Sequence, residues 1–68
     1  MLEEHEVDEL LTVTEVADRL RRPVATVRYW RATGTGPRSA RVGGRVLYRE
    51  SDVRAWVEAQ FAADSTRR

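Results

Sequence analysis

The sequence has no cysteine, which excludes disulfides and thiolate metal sites. Its single histidine, His5, lies alone in an acidic stretch that offers too few further ligands for a zinc site. No apolar run approaches the ~20 residues of a membrane span, and the acidic N-terminus lacks the basic-then-apolar order of a signal peptide. We therefore expect a cytoplasmic protein with no cofactor, no metal and no membrane partner.

Lysine is also absent, and this removes several kinds of catalytic site. No serine has a lysine or a second histidine to activate it as a nucleophile. The glycine pair in "VGGR" lacks both the spacing and the lysine of a phosphate-binding loop. We expect no enzymatic activity.

Charge is segregated along the chain, although the formal net charge is only +1. Residues 1–18 hold seven acids and no arginine, whereas residues 19–49 hold nine arginines and no acid. Codon bias would explain arginine in place of lysine, but it does not explain segregation by sign. Arginine suits bidentate contact with phosphate and guanine, so the middle segment predicts a polyanionic partner.

The first predicted helix covers residues 13–21. Thr12 and Glu15 have the spacing of a capping box, in which each side chain bonds the other residue's backbone N–H. The helix carries an apolar stripe with i, i+3, i+4, i+7 spacing at Val13, Val16, Ala17 and Leu20.

A second helix is predicted over residues 24–33. Pro23 suits the start of a helix because its φ is fixed and it has no N–H, and Gly34 suits the end. The connection to the first helix is then only two or three residues long. Two short helices joined so tightly form a helix-turn-helix corner.

The segment "SARVGGRVLYR" changes to a period of two residues and predicts a β-hairpin. A two-residue turn at Gly43-Gly44 pairs Val42 with Arg45 and Ala40 with Leu47. Both faces of the hairpin are mixed, so the pattern leaves open which one packs inward.

A third helix is predicted over residues 50–63, with Glu50 and Asp52 in its first turn, where the helix dipole favours negative charge. The chain of 68 residues forms one domain. We expect this domain to span residues 10–62, between a flexible acidic arm at 1–9 and a frayed tail at 63–68. The fold class is mainly α with a small β-hairpin.

The second helix is expected to bury one face and display the other. At 100° per residue, Val24, Val27 and Trp30 cluster on the core side, and Tyr29 falls on the opposite side with Arg28. The plain alternative is a solvated basic face with one exposed tyrosine. The hairpin that follows carries four more arginines with no acid in the segment to pair with them, which favours DNA contact. The predicted DNA-binding residues are Ala25, Thr26, Arg28, Tyr29, Arg31 and Ala32 on the helix, and Arg38, Arg41, Arg45 and Arg49 on the hairpin.

The segments "LLTVTEVADRL", "VATVRYW" and "GPRSARVGGRVLYRESDVRAWV" together resemble the excisionase-type winged helix-turn-helix family. "VATVRYW" is also similar to the start of the MerR-superfamily DNA-binding domain. The resemblance implies that the second helix enters the major groove and that the hairpin, the wing, lies against the minor groove or backbone. It implies contacts to DNA from Thr26, Arg28 and Tyr29 on the helix and from Arg41 and Arg45 on the wing.

The sequence departs from these families at two places. Arg21 and Arg22 stand in the turn where relatives have glycine and an apolar residue, so we expect a wider turn or a longer first helix. The chain also ends soon after the third helix, which we take as evidence against a self-contained MerR-type sensor.

Three functions remain open at this stage. The first is an excisionase, or recombination directionality factor, that bends attachment-site DNA, directs a phage integrase towards excision and binds beside further copies of itself. The second is a small MerR-like transcriptional regulator. The third is an adaptor that binds an acidic protein surface.

Overall fold

The computed structural model describes residues 8–66. They form β1 (Leu10–Thr12), α1 (Val13–Leu20), α2 (Val24–Thr33), β2 (Ala40–Val42), β3 (Arg45–Arg49) and α3 (Glu50–Thr66). This order of three helices with a small antiparallel sheet confirms the predicted winged helix-turn-helix architecture. Residues 1–7 of the predicted acidic arm lie outside the described residues.

Helix α1 begins with the predicted capping box. The backbone N–H of Thr12 donates to Glu15 Oε1 at 2.8 Å, and the N–H of Glu15 donates to Thr12 Oγ1 at 3.2 Å. Val16 and Ala17, in the middle of the apolar stripe, are buried. Local hydrogen bonding and core burial thus agree on where α1 starts and which face it turns inward.

The turn between α1 and α2 is tight, so the expectation of a wider turn or a longer helix was wrong. Arg21 adopts the left-handed conformation (φ 55°, ψ 42°) directly after Leu20. The N–H of Arg22 donates to the carbonyl of Ala17 at 3.0 Å, and the N–H of Arg21 donates to the carbonyl of Asp18 at 3.2 Å. This is a Schellman motif, which normally uses glycine at the left-handed position.

Helix α2 ends in a second Schellman motif, with Gly34 (φ 78°) as predicted. The N–H of Thr35 donates to the carbonyl of Trp30 at 2.8 Å. Gly36 lies directly against this tryptophan, because a Cβ added there would be 2.7 Å from Trp30 Cβ. The Trp30 ring in turn packs on Trp56 of α3, with centroids 5.0 Å apart.

The hairpin has the predicted register, with Val42 opposite Arg45 and Ala40 opposite Leu47. β1, which the sequence did not predict, pairs antiparallel with the other edge of β3, so the strand order is β1-β3-β2. β3 is therefore the central strand of a three-stranded sheet.

The sheet face that carries Tyr48 packs against the helices, which answers the question that the alternation left open. Leu11 pairs with Tyr48, and both side chains are almost completely buried, with Val46 partly buried beside them. The buried core of the described residues consists of Leu11, Val16, Ala17, Val27, Tyr48 and Val53.

Helix α3 continues to Thr66, where the sequence predicted a frayed tail from residue 63. Alanine-rich segments have high helix propensity, and residues 58–65 hold three alanines. Residues 58–65 are all exposed. The second half of α3 therefore extends beyond the packed body of the domain.

The start of α3 is held by the segment that precedes β1. Asp8 Oδ1 accepts from the backbone N–H of Ser51 at 3.1 Å, and Asp8 Oδ2 accepts from its hydroxyl at 2.6 Å. The Ser51 hydroxyl and then its backbone N–H hold the pKa of Asp8 below its ordinary value. Within the part of the chain that the structure describes, no helix is long and apolar enough to cross a membrane.

Candidate nucleic-acid interface

The outer face of α2 is exposed along its length. Val27 is fully buried beneath it, whereas Tyr29 is 65% exposed and Arg28 is exposed beside it. Ala25 and Ala32 are also exposed, so this face combines small side chains with one arginine and one tyrosine. Such a face allows close approach to a partner surface while offering polar groups to it.

Three arginines from three different elements meet in one groove. Arg28 comes from α2, Arg41 from β2 and Arg45 from β3, and together they line a cavity of about 420 Å³. We call this cavity the arginine groove. Its full lining is Thr12, Val13, Thr14, Arg28, Arg41, Gly44, Arg45 and Val46.

The arginine groove has no acidic counterpart within the described residues. None of its three arginines makes an ion pair there. Arg41 Nη1 donates to the carbonyl of Gly44 at 3.2 Å, which holds one guanidinium against the hairpin turn and leaves most of its five N–H donors for a ligand. Three guanidinium groups around one concavity, without a carboxylate, create a strongly positive local potential.

Two further predicted residues lie together at the other end of α2. Arg31 Nε donates to Ser39 Oγ at 2.9 Å, which ties the last turn of α2 to the loop before β2. Arg31 and Arg38 line the same cavity of about 380 Å³. Arg31 from the helix and Arg38 from the wing segment thus form a second positive area, separate from the arginine groove.

Folding pairs two arginines of the segment 19–49, although the segment itself contains no acid. Arg49 Nε contacts Asp52 Oδ2 at 2.9 Å, and Arg19 contacts Glu9 and Glu50 at 3.4 and 3.1 Å. The acids come from outside the segment, brought in by β1 and by the first turn of α3. Arg49 is therefore the predicted wing residue least available to an anionic ligand.

Thr14, an exposed residue of α1, also lines the arginine groove, although the sequence did not predict it as a binding residue. The capping box shows that Thr14 lies in the first turn of α1. It does not show that this turn lies beside α2 and the wing. The described residues include no group of three or more histidines or acids that could hold a metal ion.

Residues 10–60 match the family model described as the helix-turn-helix domain. No curated protein and no solved structure matches the chain significantly.

Proposed function

The chain belongs to the helix-turn-helix domain family, and we propose that it is a sequence-specific double-stranded DNA-binding protein that acts as an excisionase. In this role it bends attachment-site DNA and directs an integrase towards excision. The integrase carries out the strand chemistry, and this protein catalyses none.

The arginine groove is the observation that carries the proposal. Helix α2 has ten residues and is about 15 Å long, which suits a major groove about 12 Å wide. With α2 in the major groove, the arginine groove beside it receives the adjoining phosphate backbone. Arg41 and Arg45 then contact phosphates, while Arg28 lies on the helix that faces the base edges.

The choice of excisionase within DNA-binding proteins rests on sequence resemblance. The set "LLTVTEVADRL", "VATVRYW" and "GPRSARVGGRVLYRESDVRAWV" supports it as a combination. The same fold serves promoter control, and a fold alone does not fix the biological role. A small transcriptional regulator is therefore the competing outcome of the tests below.

The first test is the salt dependence of binding to duplex DNA. Four arginines are positioned for phosphates, Arg41 and Arg45 in the arginine groove and Arg31 and Arg38 at the end of α2. If each of them neutralises one phosphate and so releases its counterions, log K against log salt should have a slope of about −3.6. Weak binding that does not change with salt would instead support an adaptor for an acidic protein surface.

A matched pair of variants locates the contact. Arg45→Ala should reduce both affinity and the magnitude of the salt slope, by about 0.9 for one lost phosphate contact. Arg54→Ala removes the same charge from α3, where Arg54 Nη2 already pairs with Glu50 at 2.9 Å, and should leave the slope unchanged. Equal effects of the two variants would show that net charge, not the groove, drives binding.

Selection of bound fragments from the host genome separates the two biological roles. Repeated sites beside an integrase attachment site support excision control. Sites that overlap promoters support transcriptional regulation and overturn the excisionase proposal.

A further inference from the structure

The outward face of the sheet carries an apolar pocket with a basic rim. Leu10 and Val42, both large apolar side chains, are 51% and 48% exposed. They border a cavity of about 330 Å³, which we call the sheet pocket. It is lined by Leu10, Arg38, Ser39, Ala40, Val42, Leu47, Arg49 and Asp52.

A single aromatic side chain is exposed on α3, and it does not line that pocket. Phe61 is 70% exposed, in the half of the helix that extends beyond the body. Glu58 and Asp64 lie three residues to either side of it and so occupy the neighbouring turns on much the same side. Arg67 and Arg68 lie outside the described residues.

We propose that Phe61 of one copy inserts into the sheet pocket of a second copy. Burying a phenylalanine ring removes about 150–250 Å² of apolar surface from water, and the pocket offers four aliphatic side chains to receive it. Charge is complementary as well, because Glu58 and Asp64 approach the rim arginine Arg38. That arginine makes no ion pair within the described residues.

The contact has to form between molecules. The sheet pocket borders Asp52, near the start of α3, and Phe61 lies nine residues later on the same helix. At 1.5 Å per residue this is about 13 Å along a continuous helix, which cannot bend back onto its own start. A symmetric pairing of two α3 helices is disfavoured, because it brings the acidic neighbours of the two Phe61 rings together.

The proposed contact joins two different surfaces and does not close on itself. Such heterologous contacts produce open rows of subunits. The buried area falls well below the ~1,000 Å² of a stable interface, so the free protein should associate weakly. Copies bound next to each other on a duplex have an effective concentration of about 1 mM, which favours the contact there. The contact itself does not depend on the proposed function; only its strengthening on a duplex does.

The absence of cysteine makes disulfide trapping a direct test. Ser65→Cys and Ala40→Cys proteins, which both keep Phe61 and Val42, are mixed and oxidised, without DNA at about 1 mM and with a long duplex at lower concentration. Ser65 lies one turn beyond Phe61 on the same side of α3, and Ala40 lines the sheet pocket. We expect the mixed Ser65→Cys–Ala40→Cys dimer to exceed both symmetric dimers several-fold. Ala59→Cys is the control, since Ala59 is exposed on the opposite side of α3 and should cross-link with Ala40→Cys only at background level.

Each outcome of the trapping experiment has one meaning. A dominant symmetric Ser65→Cys dimer would show pairing of α3 helices and overturn the proposal. Mixed dimers no more abundant than those of Ala59→Cys would also overturn it. Mixed dimers in free protein, with no binding to the duplex, would retain the contact and reject the proposed DNA-binding function.

A binding assay gives an independent readout. Phe61→Ala should lower the cooperativity of binding to a duplex that holds several copies, while leaving the affinity for a duplex of one-site length within about twofold. Val42→Ser should have the same effect from the pocket side, with folding checked by circular dichroism. Unchanged cooperativity in both variants would contradict the contact.

Discussion

Arg21 tests whether a left-handed backbone conformation at a non-glycine residue lowers the stability of this fold. Both of the first two helices end in a Schellman motif, and the left-handed residue is glycine at the end of α2 but arginine at the end of α1. Arg21 is exposed, so its substitution leaves the core intact. The substitution Arg21→Gly therefore isolates the cost of a side chain at a left-handed position.

The expected magnitude follows from two opposing terms. A left-handed conformation costs a non-glycine residue about 1–2 kcal/mol. Glycine itself lowers the free energy of unfolding by about 0.5–1 kcal/mol, because it loses more conformational freedom on folding. The net effect of Arg21→Gly is a gain of about 0.7 kcal/mol in the free energy of unfolding. For a domain of this size, that gain raises Tm by about 4 °C.

The assay is thermal and urea unfolding followed by tryptophan fluorescence, with Arg22→Gly as the matched control. Arg22→Gly removes the same charge, but Arg22 has a negative φ, so glycine should destabilise there by about 0.5–1 kcal/mol. The two variants should therefore shift Tm in opposite directions. If both lower Tm, or both leave it unchanged, Arg21 is not strained and the reasoning is refuted.

Three further predictions concern other parts of the fold and the site. Gly36→Ala should lower the free energy of unfolding in urea by about 3 kcal/mol, because the added methyl group would clash with Trp30. Gly34→Ala, with the same φ but open space around it, should lower it by only about 1 kcal/mol, and equal losses would show that the close contact is absent. Arg28→Ala should weaken preference for the selected DNA site over scrambled duplexes, whereas Arg45→Ala should weaken binding to both alike; equal loss on both for Arg28→Ala would assign that residue to phosphate. Asp8 has a lowered pKa in the fold, so its contribution to stability is present above its ordinary pKa of 3.8 and is lost as the pH falls through the lowered value. Asp8→Asn should therefore flatten the decrease in Tm below about pH 4, and an unchanged pH profile would contradict the hydrogen-bonded carboxylate.

Features set by neighbouring residues could be predicted from the sequence. The capping box of Thr12 and Glu15 fixed the start of α1, and Gly43-Gly44 fixed the register of the hairpin. In both cases the residues that determine the structure lie within a few positions of one another. The positive φ values of the two glycines, 58° and 87°, agree with the turn that such a pair favours.

Features that depend on distant residues could not be predicted. β1 has three residues, too few to show a period, and its pairing of Leu10 with Arg49 joins positions far apart in the chain. The same folding event brings Glu9 and Glu50 to Arg19, which is why an acid-free segment nevertheless contains paired arginines.

Arg21 shows another limit of sequence reasoning. Its side chain disfavours the left-handed conformation, yet the hydrogen bonds of the motif and the packing of α1 against α2 hold it there. Tertiary structure overrides local preference at this position, and the resulting strain can be seen only in the backbone angles.

The position of β3 as the central strand affects how readily the wing meets a ligand. A free two-stranded hairpin is marginally stable and would have to be immobilised at the moment of binding. Here Leu11 and Tyr48 anchor the ribbon to the helical body through β1, so its orientation relative to α2 is set before any encounter. Less entropy is then lost on complex formation, and the few guanidinium contacts of a small protein are correspondingly more effective.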